Sequence, residues 1–252
     1  MWYELFKYGL FTPAVRGLVR PWVVGAENIP AHGGAILAAN HLSAAETILL
    51  PASITRRMTF PAKAELFRGD RGPTSKLVAW FLTAVGQVPM DRSGGRASAQ
   101  GLQPVIDALT GGALVGIFPE GTRSPDGRLY KGKTGVARLV VTSGAPVLPV
   151  GMVGTQAVRG AFGVPMLRRP GIIIGRPLDF SQYRGATDQR TLRYITDQVM
   201  SAIQELTGQQ YVDVYASRVK HGDLQGADLT DRELDHPGAG LGVVPTPPAG
   251  SE

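Results

Sequence analysis

The sequence predicts an α/β domain, one sheet with helices on its faces, preceded by amphipathic helices. Three observations predict it. Short apolar, strand-like runs alternate with longer helical patterns from about residue 22 to residue 207. Aromatic content is concentrated before that span, and acidic charge gathers after it. A chain of 252 residues, 43% hydrophobic with a mean hydropathy of +0.01, can also bury a sizeable core.

The elements follow in order. Residues 1–24 open with Trp2, Tyr3, Phe6, Tyr8 and Phe11, five aromatics within 11 positions. Trp2, Phe6 and Leu10 recur every four residues and would share one helical face, with Glu4 and Lys7 off it. Pro13 is expected to divide two short helices. The second would carry Val15, Leu18 and Val19 beside Arg16 and Arg20. Dense rings with flanking arginines suit helices lying on a membrane; packing on the protein's own core is the alternative. Strand-like segments then fall near 22–24, 35–39, 58–61, 84–90, 113–118, 146–153 and 171–176. Helical segments fall near 44–55, 74–83, 98–109, 134–142 and 187–207. From Gly222 onward apolar periodicity is lost, and the chain runs through Val-Pro-Thr-Pro-Pro-Ala-Gly. Residues 221–252 are therefore expected to form an acidic, disordered tail behind an α/β domain at 25–220.

Charge and composition narrow the function. Residues 221–252 carry one basic and six acidic side chains, net −5, and the remaining 220 residues are net +11. So basic a body favours anionic partners: phosphate substrates, acidic carrier proteins, anionic lipid or nucleic acid. Twenty of the 26 basic residues are arginine, the side chain best shaped for bidentate phosphate contacts. With no cysteine, disulfides and thiolate metal sites are excluded. No cleavable signal pattern is read, and no apolar stretch of about 18 residues suggests a membrane span.

Asn40-His41-Leu42-Ser43-Ala44-Ala45-Glu46 carries the most chemistry. It follows the apolar run Ala35–Ala39 and sets one histidine five residues before one carboxylate. Histidine suits proton removal near neutral pH, and a carboxylate on its second nitrogen fixes the tautomer. The same residues also read as a capping box, with Ser43 capping a helix and Glu46 reaching back to the Ser43 amide. The two readings are compatible, because a carboxylate has lone pairs for both partners.

Three further segments bear on anions. Phe118-Pro119-Glu120-Gly121-Thr122-Arg123-Ser124 follows the strand-like run 113–117, where glycine admits an anion to the backbone and arginine offers a fork of donors. Gly86 through Arg92 is another strand ending in arginine. Gly127 through Thr134 fits the phosphate-loop pattern letter for letter but does not follow directly from a strand, so a nucleotide-hydrolysing reading is set aside. Lys131 and Lys133 still stand where an anion could be drawn.

Four segments, in this order, resemble blocks of the lysophosphatidate acyltransferase family, within the wider glycerolipid acyltransferases. They are Asn40-His41 through Glu46, Gly86 through Arg92, Phe118 through Ser124, and Val147-Leu148-Pro149-Val150. The likeness spans about residues 1–207. It departs at the acid, where the family pattern has aspartate and this chain has Glu46. On a fixed backbone the extra methylene moves the carboxylate by about 1.5 Å.

The resemblance implies a mostly parallel central sheet behind membrane-binding helices. It also implies acyl transfer from acyl-CoA or acyl carrier protein to the free hydroxyl of lysophosphatidate, giving phosphatidate. His41 would take the hydroxyl proton and Glu46 would orient it. Arg92, Gly121, Thr122 and Arg123 would hold the acceptor phosphate, and Glu120 would brace those arginines or order the turn. Leu77, Val78, Trp80, Phe81 and Leu82 are candidates for an acyl groove. No metal, no cofactor beyond the thioester co-substrate and no nucleic acid are expected. The expected location is the cytoplasmic face of the cell membrane, held peripherally on an anionic surface. The alternatives are another acceptor (glycerol 3-phosphate, another lysophospholipid or a glycolipid) and a non-catalytic lipid-binding protein.

Overall fold

The computed structural model describes residues 2–70, 72–90, 101–156, 158–159, 165–167, 169–239 and 244–247. The strands are β1 (Trp22–Val24), β2 (Ala35–Ala39), β3 (Met58–Thr59), β4 (Pro61–Lys63), β5 (Val88–Met90), β6 (Leu114–Ile117), β7 (Leu129–Tyr130), β8 (Val147–Val153), β9 (Val158–Arg159), β10 (Pro165–Met166), β11 (Gly171–Ile174), β12 (Tyr211–Val212) and β13 (Glu233–Leu234). The main helices are α1 (Glu46–Ser53), α2 (Pro73–Ala84), α3 (Gln103–Thr110), α4 (Gly135–Ser143), α5 (Gln189–Thr207) and α6 (Ala216–His221).

Six strands form the central sheet in the order β1-β11-β8-β2-β6-β3. All neighbours run parallel except β11 and β8. β2 lies inside this sheet, paired to β6 through Leu37 and Gly116 and to β8 through Leu37 and Leu148. Its sequence, Ala-Ile-Leu-Ala-Ala, is wholly buried, as a strand covered on both faces must be. Alternation sorts its side chains. Ile36 and Ala38 pack with Val105, Leu139, Leu192 and Val199 from α3, α4 and α5. Ala35, Leu37 and Ala39 pack on the other face with Leu49 and Leu50 of α1 and with Val15.

Two caps fix the longest helix. Asp188 Oδ1 accepts the Thr191 amide at 2.8 Å at its start, and Gly208 turns left-handed at its end, φ +64°.

Two expectations are corrected. Pro13 does not divide the first segment: residues 2–19 stay helical throughout, with wide π-type turns on either side of Thr12–Ala14. Tertiary bonds hold that stretch against α1 and the chain after it. Tyr3 Oη donates to the Met58 carbonyl at 3.1 Å, Lys7 Nζ donates to the Thr55 and Arg56 carbonyls at 3.1 and 2.7 Å, and Thr12 Oγ1 donates to the Ala52 carbonyl at 3.2 Å. The buried face is thus Tyr3, Lys7 and Val15, while Trp2 and Leu10 stand exposed at its edge.

Residues 222–239 are likewise ordered rather than a loose tail. β13 pairs antiparallel with β12, and Leu229 is buried among Tyr130, Val212, Val214 and Ala216. Two of the acids that argued for disorder pair with arginines earlier in the chain, Glu233 with Arg128 at 2.7 Å and Asp223 with Arg218. Farther on, the Pro245 carbonyl accepts the Tyr183 hydroxyl at 3.2 Å.

Candidate active site

The site begins where β2 runs out. The side chain of Asn40 takes over the ladder: its Oδ1 accepts the Met152 amide at 2.7 Å and its Nδ2 donates to the Met152 carbonyl at 3.0 Å. A side-chain amide that satisfies β8 in this way frees the backbone to turn. The next residue is His41. Its N–H donates to Glu120 Oε1 at 2.9 Å, and its carbonyl accepts the Ser124 amide at 2.7 Å. Both backbone groups of the histidine are therefore held by the 118–124 turn. The imidazole lies flat on Phe118, ring centres 3.9 Å apart and planes within 14°.

Glu46 is the other half of the pair. Its Oε2 stands 2.7 Å from His41 Nδ1, and it is fully buried while the His41 side chain is 15% exposed. The carboxylate also accepts the Leu42 amide, the Ser43 amide at 3.1 Å and the Thr155 hydroxyl. Apart from the imidazole, every partner of this carboxylate is a donor. It selects the tautomer with hydrogen on Nδ1 and leaves Nε2 as the basic nitrogen. The extra methylene is absorbed: the carboxylate reaches back from the first residue of α1. The capping box forms in part. Glu46 meets the Ser43 amide, but Ser43 Oγ accepts from Ala45 N at 3.2 Å, a turn two residues long.

The 118–124 turn is built around a second buried acid. Glu120 Oε1 takes His41 N–H and Oε2 takes the Tyr130 amide at 3.1 Å, so this side chain ties β2 to β7 and orders the turn. Among the described residues no arginine is paired with it. Burial pushes its carboxyl up to about 8, with the two amides pulling the other way. Gly121 sits at φ +75°, a conformation glycine adopts without strain, and its amide closes the turn on the Phe118 carbonyl at 3.0 Å.

A cavity of about 710 Å³ opens beside His41. Its lining is mostly apolar, with Phe6, Phe11, Met58, Phe60, Phe81 and Leu82 among it, and it also includes Gly121, Lys133 and Arg138. Of the apolar residues expected to form a groove, Phe81 and Leu82 line it, and Leu77, Val78 and Trp80 are exposed instead. Of the phosphate-binding candidates, Gly121 is on the wall. Thr122 and Arg123 belong to the same turn but are not on the wall, and Arg92 lies outside the described residues. The 127–134 segment does not form a nucleotide-type phosphate loop: it contains β7, the Tyr130 amide is taken by Glu120, and Lys131 Nζ pairs with Asp213 at 3.0 Å. Among the described residues no group of three or more metal-ligating side chains converges.

Thr155, Phe118 as a stacking partner and Arg138 were not singled out from sequence. No local sequence signal marks Thr155: it reaches the site because the parallel register Ala39↔Val150 sends the chain just after β8 past the chain just after β2.

Comparison with known proteins identifies relatives of the chain. A family model described as Acyltransferase matches residues 20–153, more than half of the chain. The chain is 29% identical over 195 residues to the 1-acyl-sn-glycerol-3-phosphate acyltransferase of Bacillus subtilis, covering 77% of this chain and 90% of that one. It is 29% identical over 163 residues to a chloroplastic 1-acyl-sn-glycerol-3-phosphate acyltransferase of Arabidopsis thaliana, covering 64% of this chain and 44% of that one. The chain thus spans less than half the length of that relative and of a similar Brassica napus protein. The crystal structure of the 1-acyl-sn-glycerophosphate acyltransferase PlsC from Thermotoga maritima superposes with a TM-score of 0.56 at 28% identity, over 81% of this chain and 78% of that one. That likeness covers the mostly parallel sheet flanked by helices. The chain therefore belongs to the acyltransferase family.

Proposed function

We propose that this protein transfers a fatty acyl chain from a thioester, acyl-CoA or acyl carrier protein, to the free hydroxyl of lysophosphatidate, giving phosphatidate. One observation carries the reading: a histidine with a buried carboxylate on Nδ1 lines a cavity whose mostly apolar lining also carries cationic side chains. The names of the relatives support the acceptor.

An alcohol attacks a thioester slowly at neutral pH because its proton is held too tightly. In the proposed step His41 Nε2 removes that proton as the hydroxyl oxygen bonds to the carbonyl carbon. Glu46 stabilises the imidazolium that forms. The carbon–sulfur bond then breaks, and the proton passes from Nε2 to the departing thiolate. No covalent acyl-enzyme is invoked, since Ser43 Oγ is engaged by Ala45 N. The acyl chain lies along Phe60, Phe81 and Leu82, a wall that repays its transfer from water.

In this reading the protein attaches peripherally to the cytoplasmic face of an anionic membrane, and the exposed apolar side of the N-terminal helical stretch supports the attachment. Leu5, Tyr8, Leu10 and Leu18 stand outward there, and no described helix is long and apolar enough to cross a membrane.

The test is mass spectrometry of the products formed from acyl-CoA or acyl carrier protein with a panel of acceptors. Phosphatidate from lysophosphatidate is expected, in preference to products of glycerol 3-phosphate, other lysophospholipids or glycolipids. Another preferred acceptor would replace lysophosphatidate in this reading. No thioester consumption with any acceptor would favour a lipid-binding protein.

A further inference from the structure

Four cations line the cavity beside His41: Lys7, Lys63, Lys133 and Arg138. No carboxylate among the described residues joins them on that wall. Two of the four are engaged. Lys7 donates to the Thr55 and Arg56 carbonyls, and Lys63 Nζ stands 3.7 Å from Glu65 Oε1. The side chains of Lys133 and Arg138 have neither a hydrogen-bond nor an ion-pair partner among the described residues.

Lys133 is also placed. Its amide donates to the Pro119 carbonyl at 2.8 Å, which seats it against the turn that holds His41. A Cβ added to Gly121 would meet Lys133 Cε at 3.0 Å and Nζ at 3.2 Å, so the ammonium lies across that glycine. Lys131, two positions earlier, makes the contrast, because Asp213 neutralises it. Two unneutralised cations on one concave wall repel each other, and a bound anion relieves that repulsion. Arg138 follows on the first turn of α4, its amide on the Thr134 carbonyl at 3.0 Å, and an ammonium and a guanidinium fork lining one cavity offer donors for the several acceptor oxygens of a phosphate dianion.

We propose that Lys133 and Arg138 form a phosphate-binding subsite on the wall next to His41. This subsite, rather than Arg123, is the inner contact for a substrate phosphate. The phosphate could come from the acceptor, or from the acyl donor's pantetheine arm or nucleotide. The kinetic part of the test rests on the acyl-transfer reading; the binding part does not.

The full-length protein is titrated with glycerol 3-phosphate and followed by phosphorus NMR, as wild type, Lys133→Gln, Arg138→Gln and the double variant. Arg190→Gln, an exposed change on α5, is the charge-matched control. Each single change should weaken binding about tenfold and the double change should abolish it, with the control unaltered. In transfer assays the double variant should raise KM about tenfold for lysophosphatidate if the acceptor phosphate sits there, or for the thioester donor if the donor phosphate does, with kcat within about twofold. Unchanged glycerol 3-phosphate binding together with unchanged KM for both substrates would overturn the subsite. A wild type inactive towards every acceptor would overturn the acyl-transfer reading instead, and the NMR titration would then decide the subsite alone.

Discussion

Glu46 collects donors from three parts of the chain: the Leu42 and Ser43 amides, the His41 ring, and a hydroxyl that arrives 109 residues later from Thr155. The local part of this arrangement was legible, because histidine and acid stand five residues apart after an apolar strand. The distant part was not, since no local spacing encodes a contact between the ends of two neighbouring strands. Thr155→Val keeps the shape and removes the donor from a fully buried site. The expected result is a loss of about 1–3 kcal/mol in thermal unfolding and about tenfold in kcat, with KM little changed; Thr155→Ser should restore both. A Val variant with wild-type kcat would mean that Glu46 holds His41 unaided.

At the scale of elements, the 118–124 turn behaves as a clamp on the end of β2, and Glu120 is its pin. Sequence placed this turn after a strand and suggested phosphate binding by its arginine. It gave no sign that the acid would point inward to the His41 and Tyr130 amides, because a Glu between Pro and Gly reads as surface. The burial of this acid has a thermodynamic signature. In the folded chain its carboxyl is pushed up to about 8, whereas an unfolded glutamate ionises near 4.5. Between those values the folded state holds a proton that the unfolded state has released. This group's contribution is therefore fully present below pH 4.5 and is lost as pH rises towards 8. The Tm of the wild type, followed by circular dichroism, should fall relative to that of Glu120→Gln as pH is raised from 5 to 8. A constant difference between the two proteins over that interval would contradict the shift.

The segments misjudged from sequence fail for a common reason. Pro13 and the acidic residues after Gly222 were read from local propensity, and in both cases tertiary partners override it. The N-terminal stretch is held by Tyr3, Lys7 and Thr12. The later one is held by Leu229, the β12–β13 pairing and arginines 128 and 218. The alternating core elements were legible because burial on two faces imposes runs that nothing else explains.

At the scale of the whole molecule, one helical stretch serves two surfaces. Tyr3, Phe6, Lys7 and Phe11 close the cavity from inside, while Leu5 and Leu18 face outward, Leu18 being 86% exposed. Beside it, Trp80 of α2 meets Trp2 edge-on, ring centres 5.6 Å apart, extending the apolar face. A cavity whose wall doubles as a membrane-facing helix would admit acyl chains without crossing water. Leu5→Glu with Leu18→Glu leaves the inner face intact. It should cut co-sedimentation with anionic vesicles severalfold while leaving Tm near wild type. Undiminished vesicle binding would place the membrane contact elsewhere.

The central claim is that the imidazole of His41 accepts the acceptor hydroxyl's proton, and one comparison bears on it most directly. Lysophosphatidate acylation is measured for wild type and His41→Ala, with circular dichroism showing that both are folded. A fall in kcat of about 10²–10⁴-fold is expected in the variant. A folded His41→Ala protein that acylates lysophosphatidate at the wild-type rate would contradict it.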